Sequence, residues 1–233
     1  MVDGTADLLL MNYFAHALPF LDDPYFTAGT GVPDWLSVVD RRVRVRRKHA
    51  EPLAGDADAM TAAVARGVLQ HLGDDGRFHE GRCFVELSLG LTARFRQVLD
   101  EPSGYRPSFL GHVLVEVLID ASLVAEDPAR LEEYYRVLDS IDPRQVEEAV
   151  NRMASRPTDR LAAMISRFCE ERILWDYLED VRLLVRLNQV MLRVGFAQLP
   201  DGFRDVLPEA REQVSRRRAD LLDGIPVDAR PPA

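Results

Sequence analysis

Apolar positions recur at helical spacing along most of the chain, and no strand-length run alternates between hairpin turns. Met60, Val64, Val68 and His71 share one face of a helix that Asp56 or Asp58 could cap. Phe84, Leu87, Leu91, Phe95 and Val98 give an amphipathic face to a helix over about 79–99. The run Phe109–Ala125 is apolar almost throughout, with Ser108 placed to cap it. Helical patterns continue over 129–139, 143–154, 157–168, 170–197 and 205–222, with breaks at Pro128, Pro143, Pro157, Gly195, Pro200 and Pro208. Two glycine-bearing segments read as interruptions: Gly29–Trp35, a turn leading into a helix that opens at Asp34, and Gly73–Gly76. The expected fold is an all-α, single-domain helical bundle over 11–225, with residues 1–10 an extension and 226–233 a flexible tail. A boundary near 127 has no long linker to support it.

The chemistry sits in the N-terminal half. All five histidines lie between His16 and His112. His112, Glu116 and Asp120 form the polar stripe of the otherwise apolar 109–125 run, because residues four and eight apart share a helix face. Burying an imidazole and two carboxylates is costly unless they pair with opposite charge or bind a metal. Spacing of i, i+4 lets two side chains reach one ion. The structural alternative is a carboxylate paired with an arginine from the C-terminal half. A second cluster, His71-Leu72-Gly73-Asp74-Asp75-Gly76-Arg77-Phe78-His79, holds two histidines and two aspartates in nine residues. Its plainer reading is a capping aspartate with surface histidines. His16 stands in an apolar stretch and Asp34 before a tryptophan; each alone suits a structural role.

The totals narrow the classes. The chain has 233 residues, 47% of them apolar, which suits a folded domain with a substantial core. A formal charge of −9 argues against nucleic-acid binding. Cys83 and Cys169 form no CxxC pair and read as reduced thiols of a cytoplasmic protein. No uninterrupted apolar run reaches the roughly 18 residues of a membrane span. The chain's start lacks the basic region of a signal peptide. Arg41, Arg42, Arg44, Arg46, Arg47 and Lys48 make one basic run, against −15 on the remaining residues (−9 less the run's +6). Such a run is an exposed face or a landing patch for a phosphate group or acidic partner. Arg182, Arg186 and Arg193 share a later helical face and offer a weaker anion site.

Met11-Asn12-Tyr13-Phe14-Ala15-His16-Ala17 resembles the opening of the acyl carrier protein phosphodiesterase family. Gly29-Thr30-Gly31-Val32-Pro33-Asp34-Trp35 is similar to that family's next motif in its glycine, aspartate and aromatic. Gly67-Val68-Leu69-Gln70-His71-Leu72-Gly73-Asp74-Asp75 and His112-Val113-Leu114-Val115-Glu116-Val117 resemble two further ones. The resemblance covers roughly 11–125 and implies an HD-domain-like helical phosphohydrolase. It marks His16, Asp34, His71, Asp75, His112 and Glu116 as metal ligands or their immediate neighbours, with His79 standing where the family has an aspartate. The chain departs from the family at Leu72, where an arginine is expected, and at His112 and Glu116-Val117. Those exchanges raise imidazole content and suit zinc, manganese or iron better than magnesium.

The expectation is therefore a metal-dependent phosphodiesterase. Its ligands would be His16, Asp34, His71, Asp75, His79, His112 and Glu116, with Asp74 as general base and Asp120 orienting a histidine from behind. The resemblance implies an acyl carrier protein as partner, and an acidic carrier would suit the basic run. One alternative is a related phosphohydrolase acting on nucleotides or phospholipid head groups. Another is a non-catalytic helical protein with a buried polar network.

Overall fold

The computed structural model describes residues 12–99 and 105–225. The expected extension at 1–10, the residue Met11 and the tail at 226–233 lie outside them. In chain order the helices are α1 (Tyr13–Ala17), α2 (Pro24–Val39), α3 (Arg47–Ala50), α4 (Ala59–Glu80), α5 (Arg82–Val98), α6 (Pro107–Glu126), α7 (Pro128–Asp139), α8 (Pro143–Met153), α9 (Leu161–Glu171), α10 (Asp180–Val194), α11 (Leu207–Arg216) and α12 (Arg218–Leu221). Short 3₁₀ helices at Leu18–Phe20, Glu51–Leu53, Ile173–Leu178 and Asp201–Val206 complete the list. The fold is all-α. Among the described residues there is no strand, only an isolated antiparallel bridge between Val45 and Ala154.

Where one domain over 11–225 is expected, the chain groups into two compact units, each built from separated segments. Among the described residues the first takes 12–77, Pro128–Arg172 and Ile225; the second takes 78–99, 105–127 and Ile173–Gly224. One crossing falls at Asp127/Pro128, where the sequence offers a break but no linker.

In the first unit α2 is the central element, packed against α1, α7, α8 and α9. Asp23 caps it, accepting a hydrogen bond from the Phe26 N–H at 3.1 Å, and Pro24 opens it. An aromatic cluster fixes the neighbours: Phe168 of α9 lies 4.9 Å from Tyr13 of α1 and 5.4 Å, edge-on, from Trp35 of α2. Phe14 packs edge-on against Tyr134 of α7. A five-residue helix such as α1 has no intrinsic stability. It persists because all five of its residues are buried.

Two expected interruptions are absent. Gly29–Trp35 lies inside α2 with Pro33, and Gly73–Gly76 lies inside α4, which Asp58 caps through the Thr61 N–H. Gly29 of α2 and Gly67 of α4 serve packing. A Cβ on Gly29 would sit 2.4 Å from the Val64 carbonyl oxygen, and one on Gly67 would sit 2.2 Å from the Phe26 carbonyl oxygen. The backbones of α2 and α4 therefore cross in direct contact, which no larger residue allows.

In the second unit α6 is the central element, packed against α5, the 173–178 turn, α11 and α12. Pro107, not Ser108, opens it, with Arg106 in the capping position and no side-chain cap. Gly111 permits a close crossing with α5: a Cβ there would lie 2.6 Å from the Ser88 carbonyl oxygen and the Thr92 hydroxyl. The expected 170–197 helix is broken by the 3₁₀ turn before α10, which ends at Gly195 with φ 81°. By length and composition alone α6 is long and apolar enough to cross a membrane, with a mean hydropathy of 1.7 over its most apolar 18 residues, although His112, Glu116 and Asp120 interrupt the apolar run. Here 72% of that stretch is buried within the protein.

The close crossing makes a paired prediction. Gly67→Ala should destabilise the protein by about 1–3 kcal/mol, despite alanine's better helix propensity. Gly90→Ala in α5, where nothing lies within 4 Å, should stabilise it by roughly 0.5–1 kcal/mol. Urea unfolding of both variants checks this; a neutral Gly67→Ala would show that the α2–α4 contact is not rigid.

Candidate metal centres

The expected ligands fall into two groups, one within each unit. In the first unit, α1 supplies His16, α2 supplies Asp34, and α4 supplies His71, Asp74 and Asp75. His16, Asp34, His71 and Asp74 are each no more than 1% exposed. His16 Nδ1 lies 3.6 Å from Asp74 Oδ2, and His71 Nε2 lies 3.9 Å from Asp34 Oδ1. The two imidazole rings are 4.4 Å apart, centroid to centroid. These separations exceed hydrogen-bond length. They are closer to the spacing of ligand atoms around a tetrahedral ion, about 3.3–3.6 Å for bonds of about 2.0–2.2 Å. Both ring nitrogens of His16 are buried without a hydrogen-bond partner, as are both side-chain polar atoms of Asn12.

Asp74 is the most heavily bonded member. Both its oxygens accept hydrogen bonds from Gln70 Nε2 at 2.9 Å, and Arg77 Nη1 lies 3.3 Å from Oδ1. Asp75 lines a cavity of about 420 Å³ instead. The same cavity is lined by Asp34 and Ser37 of α2 and by Arg44, Arg46 and Arg47 of the basic run. That run is not a loose loop. Val43 is buried, Val45 bridges to Ala154, and the Arg44 carbonyl accepts from the Ser155 N–H at 2.8 Å.

The second unit holds the tighter group. His79, in the last turn of α4, meets His112 and Glu116, one turn apart on α6. Their ligand atoms all lie within 4.8 Å of one another. His79 Nε2 lies 2.7 Å and His112 Nε2 3.2 Å from the same Glu116 Oε1. The two rings stack at 4.6 Å with 19° between planes. Phe84 of α5 stands edge-on to both, at 4.7 and 4.9 Å. Burial pushes the Glu116 carboxyl up, but hydrogen bonds from His112 and His79 and their charge outweigh it and hold it below its ordinary value. Asp120, one turn further along α6, is fully buried.

Other candidates resolve into structural roles. Arg182 pairs with Asp176 at 3.3 Å and with Glu179 at 3.1 Å, and Arg186 with Asp176 at 2.7 Å, so these two do not form an open anion site. Cys83 and Cys169 are free and buried; burial pushes both thiols up, Cys169 to about 12, which does not suit a nucleophile. Comparison with family models, with curated proteins and with solved structures finds no match for the chain.

The Glu116 shift has a pH signature in metal-free protein. A carboxyl held below its unfolded value near 4.5 contributes stability that is complete above that pH and is lost as pH falls through the folded value. The stability advantage of the unmodified protein over Glu116→Gln should therefore shrink on acidification below pH 4.5. Urea titrations across that range check it; an advantage that grows with acid would contradict the pairing.

Proposed function

We propose that the chain is a metal-dependent hydrolase of phosphoesters, of HD-like type, with its reaction centre in the first unit. One observation carries this reading: a single cavity is lined by two carboxylates, Asp34 and Asp75, and by three arginines, Arg44, Arg46 and Arg47. Asp34 also belongs to the buried histidine–aspartate group. The donor set suits a borderline divalent ion such as zinc, manganese or iron, and the orphaned ring nitrogens of His16 are what a missing ligand partner leaves behind.

His16, Asp34, His71 and Asp74 would hold the ion. A divalent ion there supplies Lewis acidity toward water and toward the charge that builds on phosphoryl oxygens. The chain's own residues do the rest. Arg44, Arg46 and Arg47 present planar guanidinium groups suited to paired hydrogen bonds with phosphate oxygens. Asp75, on the cavity wall, takes the attacking water's proton. This exchanges two expected roles, since Asp74 is tied to Gln70 and faces His16, leaving Asp75 nearer the substrate.

The family motifs favour a phosphodiester on acyl carrier protein as substrate. An acidic carrier would approach the arginine-lined mouth with salt-sensitive association. Nucleotides and phospholipid head groups carry the same phosphate chemistry and form the other arms of a substrate screen.

Hydrolysis of bis(p-nitrophenyl) phosphate and of a phosphopantetheinylated carrier should require added zinc or manganese and be abolished by chelator. Asp34→Asn and His71→Ala should remove turnover. Arg46→Ala should raise KM about 10-fold, the cost of a charge-assisted hydrogen bond, with a smaller change in kcat. Replacing Arg41, Arg42, Arg46 and Arg47 by Glu should abolish use of the carrier. Absence of turnover on every phosphoester, with a melting temperature indifferent to chelator, would leave the non-catalytic polar network as the reading.

A further inference from the structure

The second unit contains a group of residues that the reaction centre proposed above does not use. His79, His112 and Glu116 come from two helices, and their ligand atoms converge within 4.8 Å. Glu116 is wholly buried, while the imidazoles are 21% and 29% exposed. The group thus has a closed floor and an open side. Both imidazoles point the same nitrogen, Nε2, at one carboxylate oxygen, Oε1. The other oxygen, Oε2, is buried without a hydrogen-bond partner.

A polar network formed only to neutralise Glu116 would engage both carboxylate oxygens, because an unsatisfied buried oxygen is costly. Crowding two ring nitrogens on one oxygen while the second goes without is the arrangement expected of a ligand set whose central atom is missing. The chemistry agrees. Two imidazoles and one carboxylate form the donor set of zinc and of other borderline divalent ions, whereas magnesium prefers oxygen alone. The edge-on Phe84 ring fixes both imidazole planes. Gly111, immediately before His112, lets α6 approach α5 closely enough to place that ring there.

We propose that the second unit binds one borderline divalent transition-metal ion through His79 Nε2, His112 Nε2 and a Glu116 carboxylate oxygen, with at least one coordination position left to an exchangeable ligand from solvent. This site does not depend on the phosphoesterase reading. Its occupant is an ion of the zinc, cobalt or nickel class, and three protein ligands are the number that keeps such an ion open to a small anion or water.

The test uses the full chain and the metals alone. Cobalt(II) titrated into the metal-free protein should give ligand-field absorption, and zinc should compete it away. His79→Ala, His112→Ala and Glu116→Gln should each weaken binding of one zinc equivalent by more than the about 10–100-fold that loss of an outer-sphere partner costs. Asp34→Asn should leave that equivalent in place. Unchanged zinc number and affinity in all three variants would overturn the proposal. Diethylpyrocarbonate modification of the unmodified protein gives a readout free of folding effects. Zinc at one equivalent per site should protect His79 and His112 while half-buried His49 continues to react; equal reaction with and without zinc would equally overturn it. Failure of phosphoester turnover would leave both of these measurements standing, so the two proposals fail separately.

Discussion

The first unit's site depends on one contact, the crossing of α2 and α4 at Gly29 and Gly67. Each glycine occupies space where any side chain would strike the other helix's backbone. From that crossing, Asp34 is five residues along α2 and His71 is four along α4, little more than one turn in each case. The helices have had little length in which to diverge, so the carboxylate and imidazole face each other at 3.9 Å. The aromatic cluster then seats α1, placing His16 against Asp74 and beside His71. Precision here comes from backbone contact, which has no rotamers to lose.

That contact also explains where reading the sequence failed. Gly29–Trp35 and Gly73–Gly76 look like turns because glycine and proline usually punctuate helices. A helix tolerates them when tertiary burial outweighs their cost of about 1 kcal/mol per glycine, and α2 is buried along most of its length. Single-sequence pattern cannot separate a glycine that ends a helix from one that lets another backbone approach. Helix identity itself was legible wherever an amphipathic face is long, as in α5, α7 and α8. The proline-opened starts of α7 and α8 were legible because Pro suits the first helical position.

The candidate site was legible as chemistry but not as geometry. Imidazoles and carboxylates in apolar surroundings singled out side chains that the fold gathers into two groups, because burial of such groups demands a reason. Their division between two units was invisible, since His71 and His79 lie eight residues apart on what reads as one cluster. The different surroundings of Asp74, bonded to Gln70, and Asp75, on the cavity wall, were equally hidden: they are three and four residues past His71, both spacings that return to the same helix face. The basic run carried an unread signal. Arg42-Val43-Arg44-Val45-Arg46 alternates with period two, and the structure uses it so, burying Val43 and bridging Val45 to Ala154. An exposed charged loop has no reason to alternate; a pinned extended segment that lines a cavity does.

The two histidine–carboxylate groups solve the same electrostatic problem under different conditions. In the first, four ionisable side chains are sealed from water and stand beyond hydrogen-bond reach across each pair. Across each pair the imidazole and carboxylate stand too far apart to hydrogen-bond, and Asp74 takes its hydrogen bonds from Gln70 and Arg77 instead. In the second, only the carboxylate is sealed, and two partly exposed imidazoles already close on it. One carboxylate oxygen, Oε1, takes both imidazole contacts, and the other, Oε2, stays buried without a hydrogen-bond partner. The first group is closed to solvent at all four side chains, whereas the second is open on its imidazole side. On the two proposals above, an ion in the first group would be held away from solvent beside the arginine-lined cavity, and an ion in the second would keep one side open.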